Sequence, residues 1–452
     1  MKKYILIILC CLTSFPLWSY NVNMIVEHYS VDQGLPNNTV NCTLKDRDGF
    51  IWFGTWYGLC CFDGVKFKTF NKQEHDSDVP PRKIQRIVED KNGYIWVKTI
   101  DRKLYVFNKV TECFHAVYDD MKNYSENIQV IKLQNTAEGD VLLLTKDKNL
   151  LLAGVDEKGQ VTIKILFDSR DEINKHDYTL KHHVLCETEE YISWIGTDYK
   201  VSAVHKGAEL ASRPADFITS KINSGDKDSF TSFFEDGRKV WVGDRAGIFY
   251  SIDVRTGLVN RYVLSEIKGA ISNLLVTPAG YVYLSVAGQG TYEYDLAERR
   301  LQKINTEMND AMVTHAFIDQ YDKIWFHENE KALIYYDPLN HTAKRFPFTM
   351  FGKITTLYSE DAGERGLFFL SPAGEAWLFD REHAEMVYIN KLKQLSNDRA
   401  NQQFYHLMLD NDGVLWLSSA DEGVYCMNFP KKQFNLLSLS PQSAGQENYT
   451  IG

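Results

Sequence analysis

Residues whose types and spacing would suit catalysis are few in this sequence. It contains no phosphate-binding GxxxxGK[ST], no GxSxG nucleophile turn and no HExxH zinc motif. The acidic pairs Glu89-Asp90 and Asp421-Glu422 could serve as the paired carboxylates of glycoside hydrolysis. Both lie in turns of a repeat, where a solvated turn residue is the simpler interpretation. The sequence therefore predicts no catalytic residue.

Side chains suited to binding a ligand occur in short turns instead. Aromatic faces stack on sugar C–H surfaces, and arginine, aspartate and asparagine side chains hydrogen-bond hydroxyl groups. Trp56 and Tyr57 are the strongest candidates, because two adjacent exposed aromatic residues in a turn need a reason. The candidate ligand-binding residues are Trp56, Tyr57, Asp198, Tyr199, Arg245, Gln289, His327 and Asn329, with Glu328 and Asp421 beside them.

The elements that must hold these turns are strands of a repeat, clearest in residues 40–70. The turn signals DRDG at 46–49 and Asp63-Gly64 separate short apolar runs, and a third turn at Thr55–Gly58 carries the two aromatic residues. The predicted strands are Val40–Leu44, Phe50–Gly54, Leu59–Phe62 and Lys66–Phe70.

One large apolar residue recurs in the second strand of each repeat at intervals of 42 to 52 residues. Its positions are Trp52, Trp96, Leu142, Trp194, Trp241, Tyr283, Trp325, Phe368 and Trp416. In eight repeats an Asp or Asn follows 11 to 14 residues later, where its side chain can cap a turn. Four strands per repeat of this length are typical of a β-propeller, an all-β fold, in which the large residue is buried against the next blade.

Nine repeats exceed the usual size of one ring, which holds about four to eight blades. We therefore expect a first seven-bladed propeller over residues 22–346 and two four-stranded blades over 347–452 that begin a second, truncated propeller. Asn448 to Ile451 resembles Asn38 to Val40, as if a tenth repeat were starting. The stretch Glu27–Val31 reads as a fourth strand and is a candidate to close the first ring.

Residues 1–20 have the pattern of a signal peptide. Lys2 and Lys3 precede an apolar stretch at Tyr4–Leu12 and a cleavage region at Ser14–Ser19. The stretch is too short to span a bilayer unless the helix continues through Pro16. We expect export to the periplasm, with an uncleaved anchor as the alternative.

The net charge and the spacing of potential metal ligands argue against a nucleic-acid-binding protein and against a metal-binding protein. A net charge of −10 and a sequence pI near 5.7 do not suggest a nucleic-acid partner. His182 and His183 point to opposite faces of a strand, and the cysteines show no CxxC spacing, so we predict no metal and no cofactor.

Six cysteines follow the export signal, and they read as small buried apolar residues. A bridge from Cys42 to Cys60 or Cys61 remains the alternative, because disulfides persist outside the cytoplasm. The six are Cys42, Cys60, Cys61, Cys113, Cys186 and Cys426.

The segment from Tyr29 to Phe62 resembles the opening of the two-component regulator propeller family. The residues that carry the resemblance are Gly34-Leu35-Pro36, Asn38-Thr39-Val40, Asp46, Gly49, Trp52, Gly54, Thr55, Gly58, Leu59 and Phe62. The likeness extends over residues 22–452 and is strongest in repeats one, two, five and nine. Repeats three, six and eight lack the tryptophan and match by spacing only.

The resemblance implies the periplasmic sensor region of a hybrid two-component regulator, tethered to the inner membrane in the full-length family. It implies an oligosaccharide ligand, control of polysaccharide utilisation, and a histidine kinase in a C-terminal part of a longer chain. The expected partners are the ligand, the remainder of the sensor chain and a second copy in a homodimer. The alternatives are a secreted propeller hydrolase or lyase acting on glycans, and a stand-alone interaction scaffold.

Overall fold

The chain forms an all-β structure, as predicted. The computed structural model describes residues 25–70, 81–121, 129–146, 149–167, 180–187, 190–196, 200–206, 217–221, 230–304, 313–328, 331–351, 358–361, 366–371, 375–391 and 404–428. In these ranges the chain forms nine antiparallel sheets of four strands. Two 3-10 turns and one short helix, α1 (Tyr118–Met121), accompany them. The described residues include no helix long and apolar enough to cross a membrane.

The strands follow the repeat in chain order. Strand β1 is Ile25–Tyr29. Sheets one to three comprise β2 Val40–Lys45, β3 Ile51–Thr55, β4 Gly58–Phe62, β5 Phe67–Phe70, β6 Ile84–Glu89, β7 Ile95–Thr99, β8 Leu104–Asn108, β9 Cys113–Ala116, β10 Val130–Asn135, β11 Val141–Thr145, β12 Leu150–Val155 and β13 Val161–Phe167. Sheets four to six comprise β14 Leu180–Glu187, β15 Tyr191–Gly196, β16 Lys200–His205, β17 Phe217–Lys221, β18 Phe230–Glu235, β19 Lys239–Asp244, β20 Ile248–Asp253, β21 Val259–Val263, β22 Ile271–Val276, β23 Tyr281–Val286, β24 Gly290–Asp295 and β25 Arg300–Lys303. Sheets seven to nine comprise β26 Val313–Ile318, β27 Ile324–Glu328, β28 Ala332–Asp337, β29 Thr342–Pro347, β30 Tyr358–Asp361, β31 Leu367–Leu370, β32 Glu375–Asp380, β33 Glu385–Lys391, β34 Phe404–Leu409, β35 Val414–Ser419 and β36 Val424–Asn428.

Each repeated large residue is buried against the following sheet, as predicted for every one whose side chain is described. Trp52, for example, packs with Ile87 and Phe107 of sheet two. Burial of so much apolar surface at every junction is what favours the stacked arrangement. The side chain of Trp194 lies outside the described residues. The others are Trp96, Leu142, Trp241, Tyr283, Trp325, Phe368 and Trp416.

The tryptophans also make a hydrogen bond that the spacing alone did not reveal. The Trp52 indole N–H donates to Asp46 Oδ2 at 2.8 Å, and Asp46 Oδ1 accepts from the backbone amides of Asp48 and Phe50. One buried carboxylate thus fixes the turn and satisfies the buried indole, which would otherwise lose its hydrogen bond to water. The same bond joins Trp96 to Asp90, Trp241 to Asp236, Trp325 to Asp319 and Trp416 to Asp410.

The predicted caps of the turns between third and fourth strands are present. Asp63 Oδ1 accepts from the amides of Val65 and Lys66, and Asn108 Oδ1 accepts in the same way from Val110 and Thr111. Such side chains replace backbone hydrogen bonds that a turn leaves open. Equivalent caps are made by Asp156, Asp253, Asp295, Asp337 and Asp380.

The described packing joins all nine sheets in one circuit. Separate apolar clusters bridge each consecutive pair of sheets, and a further cluster joins sheet nine to sheet one. Strand β1 is the fourth strand of the last sheet, where it pairs antiparallel with β36 from Ile25–Asn428 to Tyr29–Val424. The two ends of the described chain therefore meet in one sheet.

These contacts differ from the predicted division into 22–346 and 347–452. Phe346 packs in the same cluster as Phe369 and Phe379 of sheet eight, so no break in packing occurs there. The predicted closing strand also has a different partner, because sheet seven already holds its own fourth strand, β29. We infer that the nine sheets form one ring rather than a seven-bladed ring with an appendage.

Cysteines in the described residues are free thiols. Cys42, Cys60 and Cys426 are buried, whereas Cys61 and Cys113 are half-buried. The bridge from Cys42 to Cys60 or Cys61 is not formed. Burial raises the pKa of Cys42 to about 12, which keeps this thiol protonated at neutral pH. The side chain of Cys186 and the whole signal segment 1–20 lie outside the described residues.

The difference between buried and exposed tryptophans can be measured. We expect Trp52→Ala and Trp241→Ala each to lower the free energy of unfolding by roughly 3–5 kcal/mol, since each opens a cavity. Trp56→Ala should cost less than about 1 kcal/mol, as exposed turn residues usually do. Denaturant midpoints of the three variants decide this, and an equal cost for Trp56→Ala would refute the strand assignment.

Candidate functional site

Two faces of the ring are distinguished by their loops. The upper face carries the turns between second and third strands and the connections between sheets, and the lower face carries the other turns. Trp56 and Tyr57 form the whole β3–β4 turn on the upper face, with 43% and 60% of their surfaces exposed. Loops on a rigid scaffold are the usual location of binding residues.

The Trp56-Tyr57 turn is held from both sides. The backbone of Trp56 makes two hydrogen bonds. Its N–H donates to Thr39 O at 3.2 Å, and its carbonyl oxygen accepts from Lys83 N–H at 3.0 Å. Thr55 Oγ1 accepts from the Tyr57 amide at 3.1 Å. Gly58 ends the turn at φ +127°, a conformation that side chains disfavour. The two rings are therefore presented on a fixed backbone.

Two cations of the connection to sheet two lie over these rings. Lys83 Nζ is 5.3 Å from the centre of the Trp56 ring, and the Arg82 guanidinium carbon is 6.0 Å from the centre of the Tyr57 ring. Such contacts are favourable because the ring face carries negative charge. The aromatic pair and the cation pair thus form one surface across the junction of sheets one and two.

A cavity of about 360 Å³ opens beside this surface. We name it the basic cavity, because three of its lining side chains are cations and one is a carboxylate. Thr99 Oγ1 accepts from the Lys103 amide at 3.1 Å, and the Ile100 amide donates to Lys83 O at 2.9 Å, so the β7–β8 turn is also tied in place. The lining residues are Arg82, Lys83, Thr99, Ile100, Asp101, Lys103 and Tyr105.

Lys98 lies deeper, at the boundary of sheets two and three. Its Nζ donates to Gln85 Oε1 and to Ile131 O, each at 2.7 Å. Burial, together with the nearby Arg102 guanidinium, lowers the pKa of Lys98 to about 8. This lysine is therefore partly neutral near pH 8.

First strands of neighbouring sheets contact one another around the axis. Most begin with a bulge after their first residue, as between Val40 and Cys42. Asn41 Nδ2 donates to Ile84 O at 2.6 Å, and Thr231 Oγ1 donates to Ile271 O at 2.6 Å, so side chains at the bulges link successive sheets. These strands carry several polar side chains, among them Gln85, Arg86, Asn273, His315 and His406.

The other predicted binding residues are spread over separate sheets. Arg245 is exposed in the β19–β20 turn. Gln289 ties its loop, since its Oε1 accepts from the Lys268 amide at 2.7 Å and its Nε2 donates to Glu266 O. His327 is not in a loop as predicted: it lies within β27, half-buried, opposite His315. Burial, and then His315, lowers the pKa of His327.

Three predicted residues, Asp198, Tyr199 and Asn329, lie outside the described residues. Glu328 is buried and ion-paired to Arg345 at 3.0 Å, so it is structural. Sequence reasoning missed Arg82, Lys83 and Lys103. The signal available was an Arg-Lys pair directly before a first strand, in the connection that leads from the Trp56-Tyr57 turn.

Carboxylates on the lower face serve the structure. Glu89 bonds Arg47, and Asp90 accepts from an indole, so the pair is not solvated as expected from the sequence. Lys109 Nζ lies between Asp46, Asp48 and Glu89 at 3.1, 2.6 and 2.8 Å. Burial opposes charging of Lys109, but hydrogen bonds to these carboxylates outweigh it and raise its pKa above the usual range. An ammonium thus occupies the centre of this acidic group.

Lys98 predicts a pH dependence. An unfolded lysine has a pKa of about 10.4, so between about pH 8 and 10.4 the unfolded chain binds a proton that the folded chain has released. The Lys98 contribution should therefore raise the free energy of unfolding as pH rises, by up to about 1.4 kcal/mol per pH unit. The measurement compares denaturant midpoints of the wild type and Lys98→Met from about pH 7 to 10, with Lys66→Met, an exposed lower-face lysine, as baseline. A gap between wild type and Lys98→Met that stays constant would contradict the prediction.

Comparisons with known proteins were made against this geometry. No curated protein matches the sequence. Solved structures that resemble the chain include two extracellular domains of hybrid two component systems from B. thetaiotaomicron, at 14% and 15% identity and TM-scores of 0.38 and 0.34. Each alignment covers 88% of this chain and 66% or 58% of the other, so the chain spans less than two thirds of their length.

Virginiamycin B lyase from Staphylococcus aureus also aligns, at 8% identity and a TM-score of 0.35, over 90% of this chain and 99% of the lyase. At these scores the fold assignment depends on the sheets described above. The profile of the two component regulator propeller family matches residues 34–57, from Gly34 through the Trp56-Tyr57 turn. This match confirms the predicted resemblance within the first repeat: residues 34–57 match the repeat of the two component regulator propeller family.

Proposed function

We propose that this chain is the exported, ligand-sensing propeller region of a hybrid two component regulator. The observation that carries the proposal is the family match at residues 34–57, whose last two residues are the exposed aromatic pair of the upper face. The proposed regulator is a longer protein, and its kinase and membrane segments would lie in the remainder. The expected partners are that remainder and a second copy of the chain.

The proposed ligand is an oligosaccharide released from a polysaccharide whose utilisation the regulator controls. Trp56 and Tyr57 suit such a ligand because sugar C–H faces stack on aromatic rings and hydroxyl groups bond nearby polar side chains. The fixed backbone of the turn supports this role, since a preorganised surface loses little conformational entropy on binding.

Backbone hydrogen bonds give this turn a connection to the next two sheets. Lys83 N–H donates to Trp56 O, Ile100 N–H donates to Lys83 O, and Val130 N–H donates to Arg102 O. A ligand bound at the turn would therefore act directly on the hydrogen bonds that connect sheets one, two and three. This route supports a sensor in which binding at one junction alters how neighbouring blades are held.

A glycan-degrading enzyme is the rival proposal. Glycoside hydrolysis needs two carboxylates about 5–10 Å apart on opposite sides of a sugar. The described polar side chains at the starts of the first strands are amides, hydroxyls, imidazoles and cations instead. The carboxylates Asp46, Asp48 and Glu89 are engaged by Lys109. These features favour binding without turnover.

Ligand binding can be tested with a panel of oligosaccharides and the wild-type chain by calorimetry. We expect one class to bind, and Trp56→Ala or Tyr57→Ala to weaken it at least about tenfold, equivalent to about 1.4 kcal/mol. Phe50→Ala is the matched control, because Phe50 has a similar exposed fraction of 42% but lies on the lower face. If no panel member binds, or if Phe50→Ala weakens binding equally, the proposal is wrong.

A further inference from the structure

We propose that the basic cavity binds an anionic group, a carboxylate or sulfate carried by an acidic saccharide whose ring stacks on Trp56 and Tyr57. This deepens the proposed function and depends on it for the saccharide, although not for the anion. It assigns to the ligand a charge that the aromatic pair alone would not select.

The first support is the balance of charge in a chain of net charge −10. Arg82, Lys83 and Lys103 line the basic cavity, and among the described residues Asp101 is the one carboxylate that lines it. In the described part of the chain, Arg82 and Lys83 lie over aromatic rings rather than against carboxylates. Lys103 approaches Asp101 only to 3.5 Å, with both side chains well exposed, which makes a weak pair.

Cations on the lower face of the ring differ from these, because they contact carboxylates. On the lower face Arg47 contacts Glu89 of the next sheet at 3.2 Å and Lys109 contacts Asp46 of the preceding sheet at 3.1 Å, whereas Arg381 contacts Asp361 of its own sheet at 2.9 Å. Those groups have partners within the chain and are explained by sheet packing. Within the described part of the chain, the cations of the basic cavity contact a carboxylate only through Lys103 and Asp101. A cation-rich concave site of this kind attracts anions.

Backbone strain provides a second, independent support. Lys83 has φ 50° and Arg102 has φ 68°, left-handed conformations that cost energy for residues other than glycine. The hydrogen bonds from Lys83 N–H to Trp56 O and from Ile100 N–H to Lys83 O hold the first of these. Strain of this kind concentrates at ligand-binding sites, where it positions a side chain.

The size of the basic cavity agrees with one saccharide unit or a small part of a larger ligand. Its volume of about 360 Å³ is at the lower end of the range of about 300–1,000 Å³ for small-molecule sites. Trp56 and Tyr57 lie at its edge through their contacts with Lys83 and Arg82. A charged substituent in the cavity would leave the sugar ring over the aromatic surface.

The test uses the full chain and four probes: inorganic sulfate, glucose, glucuronate and glucose 6-sulfate, measured by ligand-observed NMR. The two charged sugars should bind at least tenfold more tightly than glucose at about 0.05 M salt and lose this advantage near 0.5 M. Arg82→Gln combined with Lys103→Gln should abolish the preference, whereas Lys66→Gln, on the lower face, should not. Asp101→Asn should strengthen anion binding, because it removes a carboxylate that lines the cavity.

The outcomes separate the two proposals. Equal affinity for charged and neutral sugars would overturn the anion site and leave the proposed function standing. Saturable, Arg82-dependent sulfate binding without any saccharide binding would support the anion site and contradict the proposed oligosaccharide. Absence of sulfate binding to the wild-type chain would also overturn the inference.

Discussion

The closure of the ring depends on one pairing of strands, β1 with β36. Each sheet buries its two faces only against its neighbours, so an unclosed array leaves an apolar face open at both ends. The cluster between sheets nine and one removes that problem, and β1 supplies the fourth strand of the last sheet. Every turn on the upper face, including the Trp56-Tyr57 turn, is positioned by the ring that results.

In five of the sheets, a buried tryptophan and the aspartate that accepts its hydrogen bond make the repeat recognisable from the sequence. In four of the five indole–carboxylate pairs the aspartate precedes the tryptophan by six residues, as Asp46 precedes Trp52. Local hydrogen bonds of this kind are encoded within one repeat, which is why strand positions, turn caps and the buried face were predictable. The four strands predicted for residues 40–70 agree with the structure to within one residue at each end.

The partner of β1 was not predictable in the same way. Its sequence pattern identifies a fourth strand. Backbone hydrogen bonds are alike in all sheets, so they do not specify which sheet this strand joins. The expectation of seven blades came from the usual size of such rings, whereas the packing of Phe346 on sheet eight continues the circuit. The number of sheets in the ring depends on the geometry of all the interfaces between sheets taken together. The sequence of a single repeat does not contain that information.

The candidate site was predictable only where large aromatic residues occur in a turn, a position that is usually exposed to solvent. Two adjacent aromatic residues in a turn stood out, whereas Arg82 and Lys83 lie in a connection with no repeating pattern. Gln289 and His327 fit the turn spacing, but one ties its own loop and the other is part of a strand. Contacts across a junction between sheets, such as Lys83 over Trp56, become visible only after the sheets are placed side by side.

One substitution tests the single closed ring directly. Glu27 lies opposite Cys426 in the β1–β36 pairing, and Cys426 is a free thiol. Side chains so placed have Cβ atoms about 4.5–5.5 Å apart, close to the separation that a disulfide needs. Under mild oxidation Glu27→Cys should form an intramolecular bridge to Cys426, identified by peptide mapping and lost with Cys426→Ser. An introduced thiol that stays free, or that bridges elsewhere, would contradict the closed nine-sheet ring.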